Sequence, residues 1–289
     1  MSRLALGTVQ FGLNYGVANR SGQVSRSTAK AMLALALHGG VNMLDTAVAY
    51  GESEACLGEV GTDGFNVVSK LPAVPEVCPD VDAWVQAQIT MSLARLGVKG
   101  LYGLLLHRPD QLLAANGMAL YMALLRLKEA GTVQKIGISI YAPDQLAGLA
   151  SRFHFDIVQA PLNLVDRRLH ASGWLQKLKD ADVEVHTRSA FLQGLLLMPR
   201  AGIPEQFARW TVLWRNWHEW LEAHGADAVK ACLAYPLSLP EVDRVVVGAD
   251  SLSQLAQIID AARAPCPDSL PDLRCGDQEL INPALWPSP

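Results

Sequence analysis

The 289-residue chain is half hydrophobic, only 18% charged, and carries a formal net charge of −4. That composition supports one large core and excludes a disordered or fibrous chain. No Lys/Arg run exceeds two residues, so no basic stripe is offered to nucleic acid or to an anionic membrane. The partner expected is a small molecule. The five cysteines, Cys56, Cys78, Cys232, Cys266 and Cys275, form no CxxC pair and meet no histidine at zinc-finger spacing, which suits free thiols in a reducing compartment and no bound metal. The N-terminal segment turns polar before a signal core can form, and no apolar run approaches a membrane span. A cytoplasmic protein is expected.

Short apolar runs alternate with longer stretches of helical period, the pattern of βα units around a parallel sheet. Strands are expected at Leu4–Gly7, Val41–Leu44, Asn66–Ser69, Leu101–Leu106, Val133–Ile138, Phe155–Gln159, Val183–Thr187 and Val245–Val247. Helices are expected at Thr28–His38, Val81–Leu96, Met118–Ala130 and Leu252–Ala262, each with Leu/Ala/Val stripes. After Thr187 come an apolar loop, the stretch ARWTVLWRNWHEWLEAHG and a further helix through Lys230–Tyr235, which read as an insertion rather than a second domain. The tail beyond Ala262, rich in Pro and Asp, reads as an irregular surface segment. The expectation is one (β/α)8 TIM barrel over residues 1–289, extended by a loop and helix insertion after the seventh strand.

In such a barrel the carboxyl ends of the strands open on one face, where barrel enzymes place their chemistry. The second strand runs into Asp45 and the loop TAVAYGESE with Tyr50, the third ends at Lys70 in VVSKLP, and the fourth at His107 in LLLHRPD. An acid, a phenol, an ammonium and an imidazole thus meet at one mouth. Adding a hydride to a carbonyl leaves an alkoxide that needs a proton, and a phenol can give it when a neighbouring ammonium favours the phenolate. An aspartate paired with that ammonium holds it charged, and an imidazole can orient the carbonyl. A metal-dependent hydrolase barrel would commonly carry HxH on its first strand, but here that strand reads LALGTVQF.

These segments resemble the aldo-keto reductase family. GVNMLDTAVAYGESEACLGE is similar to its Asp/Tyr segment, VVSKLP to its Lys strand and LLLHRPD to its His strand, while GTVQFG, SAFLQGLL and VVVGADSLSQL extend the resemblance along nearly the whole chain. The resemblance implies catalytic roles for Asp45, Tyr50, Lys70 and His107, with Tyr50 as general acid in reduction and general base in oxidation. It also implies a nicotinamide cofactor, NADP(H) by the family's leaning and NAD(H) as the alternative, with contacts from Gly7, Thr8, Ser139, Gln159, Arg188, Ser189, Gly248, Asp250, Ser251 and Gln254. Ile140 stands in the place of a usual Asn, whose contact Asn163 could supply. Arg188 replaces a Tyr that commonly stacks on the nicotinamide, and a guanidinium plane can also stack. The glycine and polar residues opening the last helix offer N–H groups to a phosphate.

Asp250 bears on cofactor choice, because a carboxylate repels a 2′-phosphate and can accept from a free ribose hydroxyl. It is equally readable as the N-cap of the last helix, a role Ser251 could also fill. Ile258 replaces an Asn that commonly meets the adenine. Trp210, Trp214, Trp217 and Trp220 share one helix face; packing or a subunit contact is the leading reading, a substrate rim the other. The long first loop brings Asn14 and Tyr15 toward the mouth, so a polar carbonyl such as a sugar or hydroxylated aldehyde is the expected substrate. A non-catalytic, nucleotide-binding barrel is the competing reading.

Overall fold

Eight parallel strands pair in chain order and close into a barrel, β8 returning to β1. The computed structural model describes residues 2–267 and 269–286. The strands are β1 Leu4–Gly7, β2 Met43–Asp45, β3 Asn66–Leu71, β4 Leu101–Leu106, β5 Val133–Ser139, β6 Ile157–Pro161, β7 Glu184–Arg188 and β8 Arg244–Val247. The helices are α1 Arg26–His38, α2 Ser53–Val60, α3 Val81–Leu96, α4 Gly117–Glu129, α5 Asp144–Ala150, α6 Arg168–Ala171, α7 Trp174–Asp180, α8 Thr211–His224, α9 Ala228–Ser238, α10 Leu252–Ala261 and α11 Gln278–Ile281. No helix among the described residues is long and apolar enough to cross a membrane.

Strand side chains alternate in direction, and here the two sets do different work. Ala5, Met43, Val68, Leu105 and Ile157 form a small apolar plug inside the barrel. Their neighbours Leu4, Leu44, Leu104, Val158 and Val185 belong to the larger core shared with the helices. The plug is full: a Cβ on Gly103 would lie 2.7 Å from Ile157 Cδ1. At the amino end of the barrel Glu184 accepts from Tyr102 Oη at 2.6 Å and Lys135 Nζ at 2.7 Å. Burial alone would raise its carboxyl, but His186, Lys135 and Tyr102 reverse that and hold it at about 2.

Helix boundaries follow local chemistry. Ser25 Oγ accepts from Thr28 N and starts α1; Asp80 Oδ1 accepts from Ala83 N and starts α3, which ends on Gly97 at φ 66°. Thus α1 begins two residues before the expected Thr28, and α4 spans Gly117–Glu129 rather than Met118–Ala130. Three strands shift toward the mouth. β2 pairs only from Met43, opposite Asn66, and includes Asp45, while Val41 packs beneath it after Gly40 at φ 80°. β6 starts at Ile157 rather than Phe155, because Asp156 turns its carboxylate onto Ile136 N and Lys128. β7 runs on through Arg188, paired with Pro161.

The insertion after β7 consists of 3-10 turns at Leu195–Leu197, Arg200–Gly202 and Glu205–Trp210, followed by α8 and α9. The α8 tryptophans serve packing: Trp214 and Trp217 are buried, and their indole N–H groups donate to Phe207 O and Leu196 O. The tail departs from the irregular segment expected. It buries Leu273, Leu280 and Ile281, forms α11, and docks on the insertion through Arg209–Asp277 at 2.7 Å. Residues 268 and 287–289 of that segment lie outside the described residues.

Candidate active site

At the carboxyl ends of the strands lies a trench of about 1020 Å³, lined by Asp45, Tyr50 and His107 at one part and by Gly248, Asp250 and Gln254 at another. Lys70 sits beneath it, 1% exposed, with Asp45 4% exposed. A long amine so fully buried is held only by its partners. Nζ donates to Asp45 Oδ1 at 2.6 Å and Thr46 O at 2.9 Å, and lies 3.4 Å from Tyr50 Oη. Burial would discharge the ammonium, but Asp45 and Tyr50 outweigh it and raise Lys70 above the ordinary lysine value. The His107 ring meets the Tyr50 ring edge-on, centroids 5.9 Å apart. Burial first, then the charges of Lys70 and Arg188, push His107 down to about 4, so its imidazole is neutral at physiological pH.

Tyr50 is not on a strand, and a close backbone contact sets its position. The short turn Val9–Phe11 after β1 ends at Gly12, where a Cβ would lie 1.9 Å from Tyr50 O and 2.3 Å from Ser53 N. Only a residue without a side chain permits that approach. Beneath it, Ser53 Oγ donates to Thr8 O at 2.8 Å and Thr8 Oγ1 donates to Asp45 O at 3.0 Å, tying the loop to the ends of β1 and β2. On the far side of α2, buried Glu54 accepts from Ser69, Ser92 and Arg95, which fastens this helix to β3 and α3.

Gln159 and Ser139 line the trench and are coupled to the same group. Ser139 Oγ donates to Gln159 Oε1 at 3.1 Å, and Gln159 Nε2 donates to Asp45 Oδ2 at 2.6 Å. Both oxygens of Asp45 are therefore engaged, one by Lys70 and one by Gln159. Arg188, at the end of β7, donates from Nη2 to Ile140 O at 3.0 Å and rests on the Tyr141 ring at 4.7 Å. Ile140 itself is buried in the core. Asn163 does not line the trench; its amide is spent on Ser189 O and on the N–H groups of Val165 and Asp166. It is therefore not placed to supply the contact expected of it.

Gly7, Thr8, Ser189, Gly248, Asp250 and Gln254 all line the trench, and Ser251 does not. Ser251 is the N-cap of α10, its Oγ accepting from Gln254 N at 3.3 Å. That removes the capping role from Asp250, whose N–H donates to Gln254 Oε1 at 2.8 Å. Burial raises the Asp250 carboxyl, and Gln10 and Gln254 offset part of that. A Cβ on Gly248 would lie 2.5 Å from Gln10 Nε2, so the glycine admits the Gln10 side chain. Asp227, the N-cap of α9, is a third carboxylate of the trench wall, after Asp45 and Asp250. Ile258 also lines it, as do Pro283 and Ala284 from the tail.

The first loop was expected to bring Asn14 and Tyr15 to the mouth, whereas Tyr141, Gln10 and Gln193 were not foreseen there. Tyr15 and Tyr141 both line it, while Asn14 is exposed and does not. Gln193 Nε2 donates to Tyr15 Oη at 3.0 Å, joining the loop after β7 to the loop after β1. That segment is strained: Ser189, Leu192 and Gln193 all have positive φ, at 64°, 49° and 54°. Gln10 carried a weak signal as a polar residue just past an apolar strand. Tyr141, in the loop after β5, carried none.

The aldo/keto reductase family profile matches residues 3–269. A protein assigned to the aldo-keto reductases from Pseudomonas aeruginosa is similar in structure, with TM-score 0.67 and 24% identity, the match covering 90% of this chain and 89% of that one. The holo form of an aldo-keto reductase from Bacillus halodurans is similar with TM-score 0.73 and 20% identity, covering 92% and 88%. No curated protein sequence matches the chain. The closed (β/α)8 barrel defines the class, and the chain belongs to the aldo/keto reductase family. It is accordingly an oxidoreductase of that type.

Proposed function

We propose that the protein reduces an aldehyde or ketone, or oxidises the corresponding alcohol, using a nicotinamide dinucleotide, with Tyr50 as the proton donor and acceptor. The observation that carries this reading is the buried Lys70 ammonium held between Asp45 and the Tyr50 hydroxyl at the barrel mouth. A bound reduced nicotinamide supplies two electrons and one hydrogen to the carbonyl carbon. The chain's own residues manage the rest. His107, neutral, orients the carbonyl oxygen by hydrogen bonding; Tyr50 Oη gives that oxygen its proton; Lys70 stabilises the resulting phenolate at 3.4 Å; and Asp45 keeps Lys70 charged and in place. In the alcohol-oxidising direction the same groups act in reverse.

Ser139, Gln159 and Arg188 are the residues for the nicotinamide end, with Gly7, Thr8 and Ser189 along the trench and Gly248, Asp250 and Gln254 at the start of α10, whose N-terminus suits a phosphate. Ser251 contributes by capping that helix. NADP(H) is the family's leaning, but the chain's own residues favour NAD(H). Asp250 is free of the capping role, and Arg20 and Arg188 are the only cations on the described trench wall. A free ribose hydroxyl suits that carboxylate better than a 2′-phosphate.

Quenching of the seven tryptophans on titration with NADH and with NADPH tests the assignment. Saturable binding with NADH the tighter is expected. No response to either would leave a barrel without a nicotinamide function. In Asp250→Ser the preference moves toward NADPH; an unchanged ratio would remove Asp250 from the cofactor site.

A further inference from the structure

The charges around the mouth do not cancel. Asp45 is neutralised by Lys70 at 2.6 Å, and His107 is uncharged at physiological pH. Arg188 remains. Its guanidinium lines the trench, donates to the Ile140 carbonyl, contacts Ser189 Oγ at 3.4 Å and rests on the Tyr141 ring, all neutral partners. The ion pairs of other arginines, such as Arg168 with Asp166 and Arg209 with Asp277, show what it lacks; no ion pair among the described residues includes Arg188. Its charge already reaches across the mouth, since with Lys70 and Arg108 it is one of the three cations that depress His107. Asp45, Lys70, His107 and Arg188 together thus carry a net positive charge of one, set by a residue held in place by a strand end, a backbone carbonyl and a phenol ring, while Arg20, Asp227 and Asp250 also line the trench.

The two redox forms of a nicotinamide differ in this respect: the oxidised ring is a cation and the reduced ring is neutral. We propose that Arg188 makes the site discriminate between them by charge, holding the reduced cofactor and weakening the oxidised one, so that the protein is poised to reduce carbonyls rather than to oxidise alcohols. This rests on the nicotinamide reading given above and adds to it a direction of reaction and the residue responsible. The uncompensated cation acts twice in that direction. It disfavours the ring that accumulates as product, speeding its release, and it favours the negative charge that develops on the carbonyl oxygen. Like-charge repulsion across a half-buried site, discounted for solvent, corresponds to roughly tenfold in affinity, the factor equivalent to about 1.4 kcal/mol.

The test is equilibrium binding of NADH and NAD⁺ to the full chain by isothermal titration calorimetry, with no substrate present; NADPH and NADP⁺ serve if that pair binds better. The wild type is expected to bind the reduced form about tenfold more tightly or better. Arg188→Met is expected to bring the ratio toward one, and Arg188→Lys to keep most of it, because the charge and not the stacking plane sets it. Equal affinities in the wild type, or a ratio unchanged in Arg188→Met, would overturn the inference while leaving the nicotinamide assignment standing. The wild-type ratio decides the matter by itself if the methionine variant does not fold. Failure of both forms to bind would overturn that assignment and the inference together.

Discussion

Replacing Lys70 by Met isolates the energetics on which the site depends. The two side chains have similar length, so the change removes a charge and its donors with little loss of volume. Asp45 would keep Gln159 Nε2 at 2.6 Å but lose Nζ at 2.6 Å, and at 4% exposure it cannot recruit bulk water in exchange. Breaking a buried pair from one side costs roughly 3–5 kcal/mol. For a domain whose whole stability is about 5–15 kcal/mol, that is a large fraction. Urea unfolding followed by tryptophan fluorescence at pH 7 measures that loss. The double variant Asp45→Asn with Lys70→Met has no charge to bury and is expected to recover much of it. A single variant less than about 1 kcal/mol weaker than wild type would refute the buried-pair account.

His107 is depressed to about 4, below the ordinary value of 6.5. The unfolded chain therefore takes up a proton before the folded one, and stability is lost as pH falls from 6.5 toward 4; NMR titration of the imidazole should give a midpoint near 4, and a midpoint near 6.5 would contradict the burial described. Gly12→Ala places a methyl 1.9 Å from Tyr50 O, so the Tyr50 loop must move; turnover should fall by about a hundredfold for each ångström of displacement, at a stability cost of about 1–3 kcal/mol. Turnover within a factor of two of wild type would show that the approach of Gly12 does not position Tyr50.

Much of the site was legible because strands have a period of two and end at one face. Asp45, Lys70 and Gln159 stand out as polar residues in short apolar runs, and barrel closure makes them neighbours. β1 and β4 have the expected boundaries because apolar runs and turn residues bracket them. β2 and β6 were displaced because their ends are decided by partners, Asn66 for β2 and the Asp156 carboxylate for β6. The roles of the mouth loops were out of reach for the same reason. Gln193 meets Tyr15 from 178 residues further along the chain, through backbone angles that no propensity favours. The tail's buried residues Leu273, Leu280 and Ile281 show no helical period, yet the tail packs on the insertion and reaches the trench. For Asp250, a cap and a ligand contact were equally readable until the hydrogen bond from Gln254 N to Ser251 Oγ decided which residue caps α10.

The most direct test of the central claim is the oxidation of reduced nicotinamide, followed by its absorbance, by wild type and Tyr50→Phe across a panel of aldehydes, ketones and sugars. The site described predicts turnover by the wild type and loss of most of it in the variant, with cofactor affinity nearly unchanged, since only the hydroxyl facing Lys70 at 3.4 Å is removed. Equal turnover by the two proteins would contradict the role given to Tyr50. Cofactor binding with no turnover of any carbonyl by the wild type would make this barrel a nucleotide-binding relative rather than an enzyme.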